Sequence, residues 1–116
     1  MSTDFNLESN IQNGCLIIRT MGYIKNVGGK EIVTCFSKAF DDGINKIVIN
    51  LAESKVVNSI GISYLLEIIE KLMEKDGKWV FSNLEPAIDK TFSIMALFHF
   101  AEQAPTEKEA IAKAAL

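Results

Sequence analysis

Lys46-Ile47-Val48-Ile49-Asn50-Leu51, followed after a short loop by Val56-Val57-Asn58-Ser59-Ile60-Gly61-Ile62, decides how this chain reads. The first segment is nearly all apolar and rich in β-branched residues, the composition of a strand covered on both faces of a sheet. Beyond the loop, Ile62, Leu65, Leu66, Ile69, Leu72 and Met73 recur at spacings of three and four. That is the stripe of an amphipathic helix. Ser59 therefore falls in the first turn, where backbone N–H groups lack intrahelical partners and negative charge is favoured. A serine there either caps the helix or carries a phosphate that the helix end tolerates. Gly61 is expected to leave the hydroxyl open to close approach by another protein.

Other elements order themselves around this unit. Phe5, Leu7 and Ile11 begin an edge strand, Asn13-Gly14 is a two-residue hairpin signal, and Cys15 to Met21 returns. After Gly22, Tyr23-Ile24-Lys25-Asn26 leads into an expected loop holding Gly28-Gly29. Ile32, Val33, Phe36, Ala39 and Phe40 repeat at helical spacing until Asp41-Asp42-Gly43 closes that helix. Downstream, Asp76-Gly77 turns into a strand at Trp79-Val80-Phe81. Pro86 suits the first turn of a helix carrying Ile88, Phe92 and Met95. A short strand is expected near Phe98 to Ala101, and Thr106 with Glu109 has capping-box spacing for a last helix from Glu107 to Ala115. The alternation predicts an α/β layered domain with a mixed, mostly parallel sheet of four or five strands. Without a repeat, a low-complexity tract or a long linker, residues 1–116 read as one domain.

Composition narrows the function. At 116 residues and 48% hydrophobic content, the chain can build a core without disulfides or metals, burying roughly 65% of its unfolded surface. A formal charge of −3 argues against direct binding of nucleic acid, which needs a clustered basic face. No apolar run approaches the roughly 20 residues of a membrane span, and Met1-Ser2-Thr3-Asp4 lacks the features of a secretory signal. A cytoplasmic location is the expectation.

Catalytic and metal chemistry find little support. Cys15 and Cys35 lack Cys-x-x-Cys spacing and read as two buried thiols, so neither a zinc site nor a cofactor is expected. Gly28-Gly29-Lys30 lacks the spacing of a phosphate loop, and Val57 occupies the position where a nucleophile elbow needs glycine. His99, the sole histidine, lies in an apolar run rather than beside a partner. Glu67 and Glu70, with Lys71 and Lys75 nearby, read as a solvated helix face.

The strand, the short loop and Asn58-Ser59-Ile60-Gly61-Ile62 together resemble the STAS domains (sulfate transporter and anti-sigma-factor antagonist), whose pattern there is Asp-Ser-Ser-Gly-Leu. The resemblance covers almost the whole chain and implies helices packed mainly on one side of the sheet. It places the family's phosphoacceptor at Ser59 and implies a non-enzymatic protein-binding module. The implied partner is an anti-sigma factor that is also a serine-protein kinase. Partner contacts are expected at Tyr23, Ile24, Lys25 and Asn26 and at Asn58, Ser59, Ile60 and Gly61, and pairing with a second copy stays open. Asn58 replaces the family's aspartate, Ile60 its second serine, and Lys25 an acidic residue common in relatives. The same family also supplies unphosphorylated scaffold subunits of stress-sensing and phospholipid-transport complexes.

Overall fold

A computed structural model describes residues 5–94, 97 and 101–116. Its elements are β1 (Phe5–Gln12), β2 (Cys15–Gly22), α1 (Asn26–Asp41), β3 (Lys46–Glu53), α2 (Ser59–Glu74), β4 (Lys78–Ser82), α3 (Pro86–Ile94), β5 (Glu102–Ala104) and α4 (Glu107–Ala114). The strands form one sheet in sequence order, β1 antiparallel to β2 and every other pair parallel. The β1–β2 hairpin turns at Asn13 and Gly14, both at positive φ. No helix among the described residues is long and apolar enough to cross a membrane.

β3 lies at the centre, and its apolar run explains why. Ile47, Ile49 and Leu51 face one core with α1 and α2, whereas Val48 faces a second, smaller core with α4. Ile47 to Ile49 are covered on both sides, whereas Asn50 brings a polar group to the α4 side. In the larger core α1 contributes Ile32 and Phe36, α2 contributes Leu65 and Ile68, and α3 contributes Phe92. Fully burying side chains of this size stabilises the fold by about 1.5–3 kcal/mol each.

α2 presents a somewhat different face from the one its spacing predicts. Ile68 is fully buried, whereas Leu66 is half-buried and Met73 is 55% exposed. The buried set Gly61, Ile62, Leu65, Ile68, Ile69 and Leu72 is centred about 45° from the simple stripe at 100° per residue. Gly28 and Gly29 also differ from expectation, since they lie inside the first turn of α1 rather than in a loop. A Cβ on Gly29 would come within 2.4 Å of the Tyr64 ring, and one on Gly28 within 2.8 Å of Phe5. Cys15 is buried, but Cys35 is only half-buried at the margin of the larger core. Of the expected strand near Phe98 to Ala101, Phe98 to Phe100 lie outside the described residues, as do Met95 and His99; the strand observed is β5.

On the α4 side, register aligns a polar row across the sheet: Glu8, Arg19, Asn50 and Ser82. Glu107, in the first turn of α4, closes over it. Arg19 donates Nε and Nη2 to the two Glu107 carboxylate oxygens, each at 2.8 Å, and Asn50 donates to Oε1 at 3.0 Å. Thr106 caps α4, accepting from the Glu109 N–H at 3.2 Å.

Two measurements test this packing. Ile68→Ala should lose about 2–5 kcal/mol in urea denaturation, and Leu66→Ala clearly less. Equal losses would contradict the observed face. The second concerns acidity. Hydrogen bonding from Arg19 holds the Glu107 carboxyl below its ordinary range, aided by Asn50 and opposed by partial burial. A lowered folded value means the stabilisation is complete above glutamate's ordinary pKa and is lost as pH falls through the folded value. Arg19 stays charged throughout and adds no slope there. Glu107→Gln should therefore cost roughly 1–2 kcal/mol at neutral pH and flatten the acid limb of the stability curve.

Candidate functional site

The site forms where the C-terminal ends of β2 and β3 pass into helices. Beyond Arg19 the β2–β3 register shifts, and the two outgoing loops are rejoined by a parallel bridge between Ile24 and Val57. The Ile24 N–H donates to Val56 O at 3.0 Å, and the Asn58 N–H donates to Ile24 O at 3.1 Å. Thr20 and Ser54 share a buried hydroxyl–hydroxyl hydrogen bond of 2.7 Å, tying the end of β2 to the same loop. α1 and α2 consequently begin side by side, linked by Tyr64 Oη donating to Asn26 Oδ1 at 3.3 Å.

Asn58 is the N-cap of α2, its Oδ1 accepting from the Gly61 N–H at 2.8 Å. Ser59 is the first helical residue and is exposed, so the capping role belongs to its neighbour. The chain's own groups satisfy two of the four orphan donors, those of Asn58 and Gly61. The Ser59 and Ile60 N–H groups have no acceptor among the described residues, and both adjoin the Ser59 hydroxyl. No acidic side chain occupies the first turn of α1 or α2. Within these turns, therefore, no side-chain carboxylate offsets the partial positive charge of the helix start.

The eight residues implicated by sequence divide into a rim and a foundation. Tyr23, Asn26, Ser59 and Ile60 are exposed, Lys25 and Asn58 partly so. Lys25 Nζ sits 5.2 Å from the Tyr23 ring centroid. Ile24 and Gly61 are buried and meet each other: a Cβ on Gly61 would lie 2.5 Å from Ile24 O. The glycine is required by this internal approach rather than by access for another protein, and the Ile24 side chain faces the core. Sequence reasoning passed over Val27 and Val56. Both are exposed, Val27 by 62%, and with Tyr23 and Ile60 they give the two helix starts apolar surface. Exposed valines next to a helix start were the available signal.

Chemically, the site offers a free hydroxyl, two backbone donors and an apolar surround. Among the described residues no group of three His, Cys, Asp or Glu side chains could hold a metal ion.

A family model described as the STAS domain matches residues 6–110. Several solved structures share the fold. A putative anti-sigma factor antagonist from Thermotoga maritima superposes with a TM-score of 0.86 at 14% identity, over 95% of each chain. An anti-sigma factor antagonist from Mycobacterium paratuberculosis gives 0.84 at 19% identity, over 97% of this chain and 95% of that one. The Bacillus cell fate determinant SpoIIAA, solved in its phosphorylated form, gives 0.73 at 25% identity, over 94% of this chain and 97% of that one.

The division of labour at the helix start can be measured. Asn58→Ala should destabilise the protein by about 1 kcal/mol, the usual effect of losing a cap. Ser59→Ala should change stability by less than about 0.5 kcal/mol, as for an exposed position. The reverse order in thermal or urea unfolding would show that Ser59, not Asn58, holds the helix end.

Proposed function

The chain belongs to the STAS domain family, and we propose on that premise that it is a cytoplasmic regulatory module that binds an anti-sigma factor with serine-kinase activity. Ser59 is its phosphoacceptor, and Tyr23, Lys25, Asn26, Asn58, Ser59 and Ile60, set in place by buried Ile24 and Gly61, form the docking region. The observation that carries this reading is the exposed Ser59 hydroxyl at a helix start already capped by Asn58. Because the hydroxyl has no structural duty there, modifying it leaves the fold intact. The Bacillus relative, known in a phosphorylated form, supports the same chemistry.

The switch works through the difference between two environments. Phosphorylation adds about −1.5 to −2 charges and three acceptor oxygens. In the free protein these oxygens reach water and the unpaired Ser59 and Ile60 N–H groups, a favourable setting for an anion. Against a partner they would be enclosed beside Ile60, Val56, Val27 and Tyr23, where an unpaired dianion is costly. A hundredfold loss of affinity needs only about 2.7 kcal/mol. Ile60 in place of a small serine increases the apolar share of the contact, so this partner's surface must include an apolar recess for it.

Capture of the chain's partner from native extract, with intact-mass analysis of the captured chain, provides the test. The expected result is a kinase-type anti-sigma factor and a phosphate at Ser59. With the purified partner, Ser59→Asp should bind at least tenfold more weakly than Ser59→Ala while both fold normally. Equal affinities would reject the electrostatic switch. Capture of a stress-sensing or phospholipid-transport assembly, with Ser59 unmodified, would assign the chain to the scaffold role instead.

A further inference from the structure

The sheet face opposite Ser59 is covered in a different manner from the face that carries α1 and α2. Its apolar strip consists of Cys15, Ile17, Val48, Val80 and Ala104; the cover is α4, eight residues or about 12 Å long, which rests on β3, β4 and β5, with Cys15 at the β2 margin of the same core. α4 meets the strip with Ala110 and Ala114, both fully buried, and with half-buried Ile111. Alanines contribute little apolar area, and a helix this short is not stable by itself in water. Polar fastenings make up the difference. The Arg19–Glu107 fork holds the start of α4, with Asn50 as a third point, and Lys113 Nζ donates to Gln103 O at 2.8 Å.

Register shows how this cover lies. Glu107 is bonded to Arg19 and Asn50, at the C-terminal ends of β2 and β3. Cys15 is at the first residue of β2, two inward positions away on the same face, near the other end of the strip. The latch and the buried thiol are therefore at opposite ends of the face.

We propose that α4 is a hinged cover that opens as one unit about Pro105 and Thr106, latched by the Glu107–Arg19 fork, while the five-stranded sheet and the α1–α2–α3 layer stay folded. Opening uncovers an apolar, β-branched strip on the side away from the phosphoacceptor. The opened state is a partial unfolding of low free energy, of the kind that short, weakly buried elements populate.

Cys15 is a built-in reporter. The full chain is treated with a thiol reagent over a range of urea concentrations below the unfolding transition, and the labels on Cys15 and Cys35 are resolved by peptide mass. Half-buried Cys35 should react quickly and serves as the internal control. Cys15 should react with a urea dependence well below that of global unfolding followed by Trp79 fluorescence, because opening α4 exposes little surface. Glu107→Ala should speed Cys15 labelling by about ten- to hundredfold, the loss expected for a charge-assisted fork. A urea slope equal to that of global unfolding would overturn the proposal, even in the unsubstituted chain. So would a Cys15 rate indifferent to Glu107→Ala, which would assign its exposure to fraying of the nearby Asn13–Gly14 hairpin.

Discussion

The contact between the Ile24 carbonyl and Gly61 constrains everything at the functional end of this protein. Two loops leaving parallel strands would ordinarily diverge over the sheet edge. Here a single bridge between Ile24 and Val57 rejoins them, and the Ile24 oxygen accepts the N–H of the residue that caps α2. Only a residue without Cβ lets the helix approach that carbonyl. The position of Ser59 is thus set by backbone packing two residues away. An exposed group is held by buried ones, which is how a surface hydroxyl acquires a fixed address.

The sheet distributes its burial unequally. One face carries three helices and most of the large side chains; the other carries one short helix whose buried positions are alanines. Dispersion and apolar burial dominate the first face, and directional charge-assisted bonds matter more on the second. That contrast follows from the row Glu8, Arg19, Asn50 and Ser82, which interrupts the apolar face at the C-terminal ends of the strands. A long apolar helix laid across this row would bury unpaired polar groups. α4 instead brings Glu107 to Arg19 and Asn50, while the buried Ser82 hydroxyl has no hydrogen-bond partner among the described residues.

Local patterns in the sequence carried most of the architecture. The β-branched run at β3, the Asn13-Gly14 turn and the Thr106–Glu109 spacing each specify structure through neighbours a few residues apart, and each is found where its pattern indicates. What escaped detection depends on residues distant in the chain. Gly28 and Gly29 read as a loop because glycine costs a helix about 1 kcal/mol. Phe5 and Tyr64 are what make them necessary in α1. Arg19 and Glu107 are 88 residues apart and leave no periodic trace. At the site, the exposed hydroxyl beside Asn58 was legible from capping chemistry, whereas the inward turn of Ile24 was not. A single apolar residue in a loop does not reveal which side of the backbone it occupies.

The identity of the α2 cap has a consequence for robustness to acidity. An aspartate in this position would be a good acceptor only while ionised, so its grip on the Gly61 N–H would weaken as protons were added. The Asn58 amide has no titration at any physiological acidity, and its Oδ1 accepts that N–H equally in an acid-stressed and a neutral cell. It also brings no negative charge to the helix start, leaving the whole of the local dipole to whatever anion arrives. In this chain the cap beside Ser59 is therefore a group that does not titrate.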